Sequence, residues 1–140
     1  MIGIFFGWGA FEEKNPRKCF AIAQAEAPRR APPHQPYASI GYWPDQGVRG
    51  QLHIRLSRVK RPGSAVILRI DGRSFQLLAG GADAWAPTPR ADAAIAAAMR
   101  TGVAMSVETR SLGGAVFRDR YLLRGAATAM DAAAIACARG

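Results

Sequence analysis

Apolar and polar residues alternate from Gln51 to Arg58. Leu52, Ile54 and Leu56 take one side; His53, Arg55 and Ser57 take the other. A period of two predicts a strand with one buried face. Two further strands are predicted over Ala65 to Ile70 and Arg73 to Leu78, joined by Asp71-Gly72. Asp-Gly between apolar runs favours a two-residue type I′ hairpin, because both central residues need positive φ. That turn pairs Leu68 with Phe75 and Val66 with Leu77, so large apolar side chains meet on one face.

The same alternation recurs on both sides of this meander. Gly7 to Phe11 reads as a short strand anchored by Trp8 and Phe11, and Cys19 to Gln24 as its hairpin partner across a turn containing Asn15-Pro16. In the partner, Phe20 and Ile22 share one face while Cys19, Ala21 and Ala23 share the other. Residues 27–36 hold four prolines and break both regular structures. Tyr37 to Trp43 resumes a strand. Val103 to Arg110 alternates with Val103, Met105 and Val107 inward, and Ala115 to Leu123 returns beside it.

Two segments change period. Thr88 can cap a helix with Pro89 in its first turn, and Ile95 and Met99 lie four apart. Arg100 suits the C-terminal end, and Gly102 suits a left-handed residue after it. This predicts a helix over residues 90–101. A second, alanine-rich helix is predicted over 126–138, with Met130, Ala133, Ala134 and Cys137 on one stripe. The expected fold is mainly β: one antiparallel, sandwich-like domain over residues 1–140, with two short helices.

Composition fits that picture. A chain of 140 residues with 49% hydrophobic and 21% charged residues can hold one core. Its net charge of +9 and pI near 10.8 favour anionic partners at long range. Arginine outnumbers lysine, and alanine and glycine are abundant, so part of the charge reflects composition. No apolar run approaches the ~18 residues of a membrane span.

Catalytic chemistry finds no grouping. The Gly3, Gly7 and Gly9 spacing resembles a dinucleotide loop but lacks the strand before it and the helix after it. Cys19, His34, His53 and Cys137 match no zinc spacing. Asp119, between Arg118 and Arg120, reads as a local ion pair. No residue is assigned a catalytic, cofactor-binding or metal-ligating role. Arg55, Arg58, Lys60, Arg61, Arg69, Arg73, Arg118 and Arg120 form a candidate basic contact surface, and Trp8, Trp43 and Trp85 are candidate aromatic contacts. The outward positions of the meander strands carry no aromatic platform for stacking bases, which weakens a nucleic-acid role. Cys19 and Cys137 lie 118 positions apart and fit either a bridge or two buried thiols.

One resemblance spans nearly the whole chain. Trp8-Gly9-Ala10-Phe11 is followed by Cys19. Pro62-Gly63-Ser64-Ala65-Val66 leads into the Asp71-Gly72 hairpin. The helix reads Asp92, Ile95, Met99-Arg100-Thr101-Gly102. The last strand ends Tyr121-Leu122-Leu123-Arg124-Gly125 before an alanine-rich helix that carries Cys137. This order resembles the invasion-associated locus B family, small exported, mostly β proteins of alphaproteobacteria. The resemblance implies a Cys19–Cys137 disulfide, a removed export signal and a periplasmic or secreted location. It supplies no enzymatic activity and no cofactor. The expected function is a non-enzymatic, disulfide-stapled binding protein whose basic surface contacts an anionic polymer or acidic protein. The alternative is a cytosolic RNA-binding module using the same arginines, and free thiols would favour it.

Overall fold

The computed structural model describes residues 1–27 and 32–138. Part of the proline-rich 27–36 segment therefore lies outside the described residues. Among the described residues, ten strands form one antiparallel sheet: β1 Gly3–Phe5, β2 Trp8–Glu13, β3 Lys18–Gln24, β4 Tyr37–Trp43, β5 Val48–Arg55, β6 Val66–Ile70, β7 Arg73–Gly80, β8 Asp83–Trp85, β9 Ala104–Arg110 and β10 Val116–Leu122. Their spatial order is β1-β2-β3-β4-β5-β8-β7-β6-β9-β10. Two helices, α1 Pro89–Thr101 and α2 Ala126–Ala138, complete the mainly β fold.

The sandwich-like layering comes from this one sheet folding over on itself. Glu26 N–H donates to Arg120 O at 2.7 Å, and Trp8 Nε1–H donates to Leu122 O at 2.8 Å. Both bonds join the β10 edge to the first strands. They occupy carbonyls that an open edge would present to another chain.

The core follows the alternation. Leu52, Ile54 and Leu56 are fully buried, with Val66, Leu68, Met105 and Val107. Each such side chain contributes about 1.5–3 kcal/mol on leaving water. The β2–β4 half buries its small residues: Ala10, Cys19, Ala21, Ala23 and Ala38. They lie beneath α2, whose stripe is Ala126, Ala129, Met130, Ala133 and Cys137. Small side chains on both surfaces let helix and sheet approach closely. The Cys19–Cys137 disulfide locks that contact, with Cα atoms 5.9 Å apart.

The hairpin has the expected register, Leu68 opposite Phe75 and Val66 opposite Leu77. Its turn differs from type I′: Asp71 alone has positive φ (52°) and Gly72 does not. The turn is tied to β9 as well as closed on itself. Asp71 carboxylate oxygens accept from Val103 N–H and Ala104 N–H at 3.2–3.3 Å. Val103, expected inward, is 74% exposed, because β9 begins one residue later and Val103 lies past the covered part of the sheet.

Helix α1 starts as predicted, with Thr88 Oγ1 accepting from Ala91 N–H at 3.0 Å. Its end is different. Gly102 is extended (φ −77°), not left-handed, and space is what requires glycine: a Cβ there would lie 2.6 Å from Ile70 Cγ2.

Candidate anion-binding face

Strand pairing sorts the basic residues. Arg69 on β6 lies opposite Ser106 on β9, which lies opposite Arg120 on β10. The next row is Ile67, Glu108 and Arg118. Residues aligned across paired strands point to the same face. Arg69, Arg118 and Arg120 therefore converge outward, around a groove of about 420 Å³ also lined by Ser106, Glu26 and Asp71.

Glu108 is the carboxylate inside this cluster. It accepts from Arg118 Nε at 2.8 Å and from Arg118 Nη2, and lies 4.0 Å from Arg69 Nη1. The Arg118 hydrogen bond, aided by nearby guanidinium charges, holds the Glu108 carboxyl below its ordinary range. Arg120 has no carboxylate partner among the described residues. Asp71 is occupied by the backbone of Val103 and Ala104. Glu26, Asp71 and Glu108 balance the three guanidiniums in formal charge, while Arg120 keeps free donor capacity.

The other predicted basic residues are elsewhere. Arg55 pairs with Asp83 at 3.1 Å on the outer face of β5. Arg73 lies over the Phe75 ring, 5.1 Å from its centroid, at the hairpin end. Arg58, Lys60 and Arg61 belong to the β5–β6 connection. Arg58 borders a small hollow with His34 and Leu112, and Lys60 bridges to Ser111.

The three tryptophans also separate. Trp8 is fully buried, so it is a packing residue and not a contact residue. Trp43 is half-buried. Its ring covers Gly41, where a Cβ would lie 2.6 Å from Trp43 Cζ3, and Lys18 Nζ lies 4.7 Å from the ring centroid. Trp85 is 41% exposed and stacks on His53 with centroids 5.7 Å apart. His53 is positioned by Asp83 Oδ1 at 2.9 Å and Tyr37 Oη at 3.3 Å. His34 and His53 are held in different places, and both cysteines are spent on the bridge. Gly9, from the glycine-spaced N-terminal stretch, is a strand position beneath the Phe11 ring.

The local ion pair expected at Asp119 does not form. Alternation along β10 sends Arg118 and Arg120 outward and Asp119 into the core beside Tyr121. Asp119 Oδ2 accepts from Ser57 N–H at 2.9 Å, and burial pushes its carboxyl above the ordinary range. The Tyr121 hydroxyl is buried without a hydrogen-bond partner among the described residues, and burial pushes its pKa far above the ordinary tyrosine value. The sequence signal for this pair was the shared parity of Phe117, Asp119 and Tyr121. Outward aromatics, absent from β5, β6 and β7, occur nearby on the same sheet: Phe11 and Phe20 stack across β2 and β3, and Trp85 stands on β8.

Neither a family profile nor a curated protein matches the sequence. Among solved structures, the crystal structure of invasion associated protein b from Bartonella henselae is similar, with a TM-score of 0.72 at 16% identity. The alignment covers 99% of this chain and 98% of that one. This chain shares the fold of invasion associated protein b. The resemblance to the invasion-associated locus B family, drawn from the order of residues, is thereby borne out in architecture. The shared architecture carries no indication of catalysis.

Proposed function

We propose that this chain is an exported, periplasmic or secreted, non-enzymatic binding protein of the invasion-associated locus B type, and that it holds an anionic polymer in the β6–β9–β10 groove. The convergence of Arg69, Arg118 and Arg120 on one face, with Arg120 free of a carboxylate partner among the described residues, carries this reading. Guanidinium groups recognise carboxylate, sulfate and phosphate in forked geometry. The Cys19–Cys137 bridge supports export, since such bridges persist in oxidising compartments. It weighs against a cytosolic RNA-binding role for the same arginines.

Titration of the oxidised protein with a heparin oligosaccharide across salt tests the groove. An Arg69→Ser, Arg120→Ser double variant is expected to bind at least tenfold more weakly, with the salt slope reduced by about one per lost contact. Unchanged affinity and slope would refute the groove. For the location, thiols of protein taken from its native cell are alkylated with and without reduction, and ready alkylation before reduction counts against export.

A further inference from the structure

A second cavity, of about 620 Å³, lies between the start of β5 and the C-terminal part of α2. A bulge in β5 lies next to it. Gly50 has φ of 81° and is the extra residue where β5 slips register against β4, between the Gly41–Gln51 and Tyr42–Arg49 pairs. A bulge of this kind bends its strand away from the ladder. Beyond the bulge Val48 and Arg49 stay paired with Trp43 and Tyr42, and the hollow lies beside them and Cys137.

The walls have two characters. Tyr42, Pro44, Val48 and Ala134 supply an apolar surface, with Cys137 at the base. Arg17 and Arg49 flank it, with Asp45 as the carboxylate on the wall. Arg17 is already positioned by Glu12 at 3.2 Å and by the Ala136 carbonyl. Arg49 is exposed and has no ion pair among the described residues. The Tyr42 side chain is held under α2, where burial raises its pKa above the ordinary tyrosine value. A largely apolar hollow in the usual size range of small-molecule sites, with a few polar groups at its border, is what ligand pockets share.

We infer that this cavity is a binding site for a small amphipathic monoanion, its apolar body against Tyr42, Val48 and Ala134 and its acidic group on Arg49. Arg17 is matched by Glu12, so Arg49, without an ion pair among the described residues, is the guanidinium at the border that suits one acidic group. The site shares no residue with the arginine groove and does not depend on it.

The probe is 1-anilinonaphthalene-8-sulfonate, an aromatic monosulfonate, titrated by fluorescence into the folded, oxidised protein. The wild type is expected to show one saturable site with a blue-shifted emission. Arg49→Glu, an exposed change that leaves packing intact, is expected to weaken binding at least fivefold. Val48→Trp, which fills the hollow, is expected to abolish the site. Arg69→Ser with Arg120→Ser is expected to leave it unchanged, which separates this site from the polymer groove. Absence of saturable binding, or binding that Arg49→Glu and Val48→Trp both leave intact, would overturn the assignment. Circular dichroism of each variant confirms folding, and the Arg49→Glu titration decides if Val48→Trp does not fold.

Discussion

Gly125 lies against the backbone of Phe5, so close that a methyl group on it would stand 1.9 Å from the Phe5 carbonyl oxygen. The residue also has φ of 92°, a conformation that other residues rarely adopt. This contact seats the start of α2 on β1. Gly125→Ala is expected to cost about 3 kcal/mol or more, from clash and backbone strain together. That corresponds to a melting temperature lower by roughly 10 °C. Gly72→Ala is the control, because nothing lies within 4 Å of a Cβ there. Equal melting temperatures for the two variants would contradict the packing described.

The disulfide closes a loop with a sequence separation of 118. On the chain-entropy account, a loop of that length contributes about 4–5 kcal/mol through the unfolded state. Urea unfolding of oxidised protein and of the Cys19→Ala, Cys137→Ala variant measures it. The variant is expected to unfold at much lower urea with α2 still helical at zero denaturant. The midpoint should fall without a new contact being lost elsewhere.

Asp119 makes stability depend on pH in an unusual direction. Its folded carboxyl is raised above the ordinary value by burial, the Ser57 hydrogen bonds and Arg58 opposing only in part. The folded state therefore holds its proton at pH values where the unfolded chain has released it. The associated stability is present at acid pH and is lost as pH rises from the ordinary aspartate range through the raised folded value. Asp119→Asn is expected to remove this component while keeping an acceptor for Ser57 N–H. Asp119→Ala strands that buried donor and is expected to cost about 1–3 kcal/mol at all pH values. Urea midpoints of the three proteins between pH 4 and pH 8 check both statements, and parallel curves for wild type and Asp119→Asn would refute the first.

Asp92 ties α1 to the sheet. Its Oδ1 accepts from Leu52 N–H at 2.9 Å. Strand β8 pairs with β5 only from His53 to Arg55, so Leu52 lies just beyond the end of that ladder. Asp92→Ala is expected to destabilise by about 1–2 kcal/mol, and Asp92→Asn by less, since the amide oxygen still accepts. Amide exchange at Leu52 should accelerate in the alanine variant and stay near wild type in the asparagine variant.

Much of this molecule was legible locally. Alternation over Leu52, Ile54 and Leu56 placed a buried strand face. Asp71-Gly72 set the hairpin register. Thr88 and Pro89 marked a helix start, and the stripe through Met130, Ala133 and Cys137 put a cysteine on a buried face. Each depends on neighbours within one or two turns of chain, where period and turn chemistry act directly. Strands β1 and β8 were missed because three residues are too few to show a period.

Other features depended on which distant segment covers which face. In β3 the alternation separates Phe20 and Ile22 from Cys19, Ala21 and Ala23, but does not say which side is inward. The structure buries the small side, because an alanine-rich helix can approach it closely, and leaves Phe20 to stack on Phe11 outside. Eight basic residues looked like one surface by proximity in sequence. Pairing of β6, β9 and β10 gathers only Arg69, Arg118 and Arg120, and turns Asp119 between two of them into the core. The sequence by itself determined most of the elements, the division of each into two faces and one register, since those follow from short-range geometry. Tertiary structure alone decided which faces are covered and which charges meet, since burial and Coulomb interaction depend on distance in space and not along the chain.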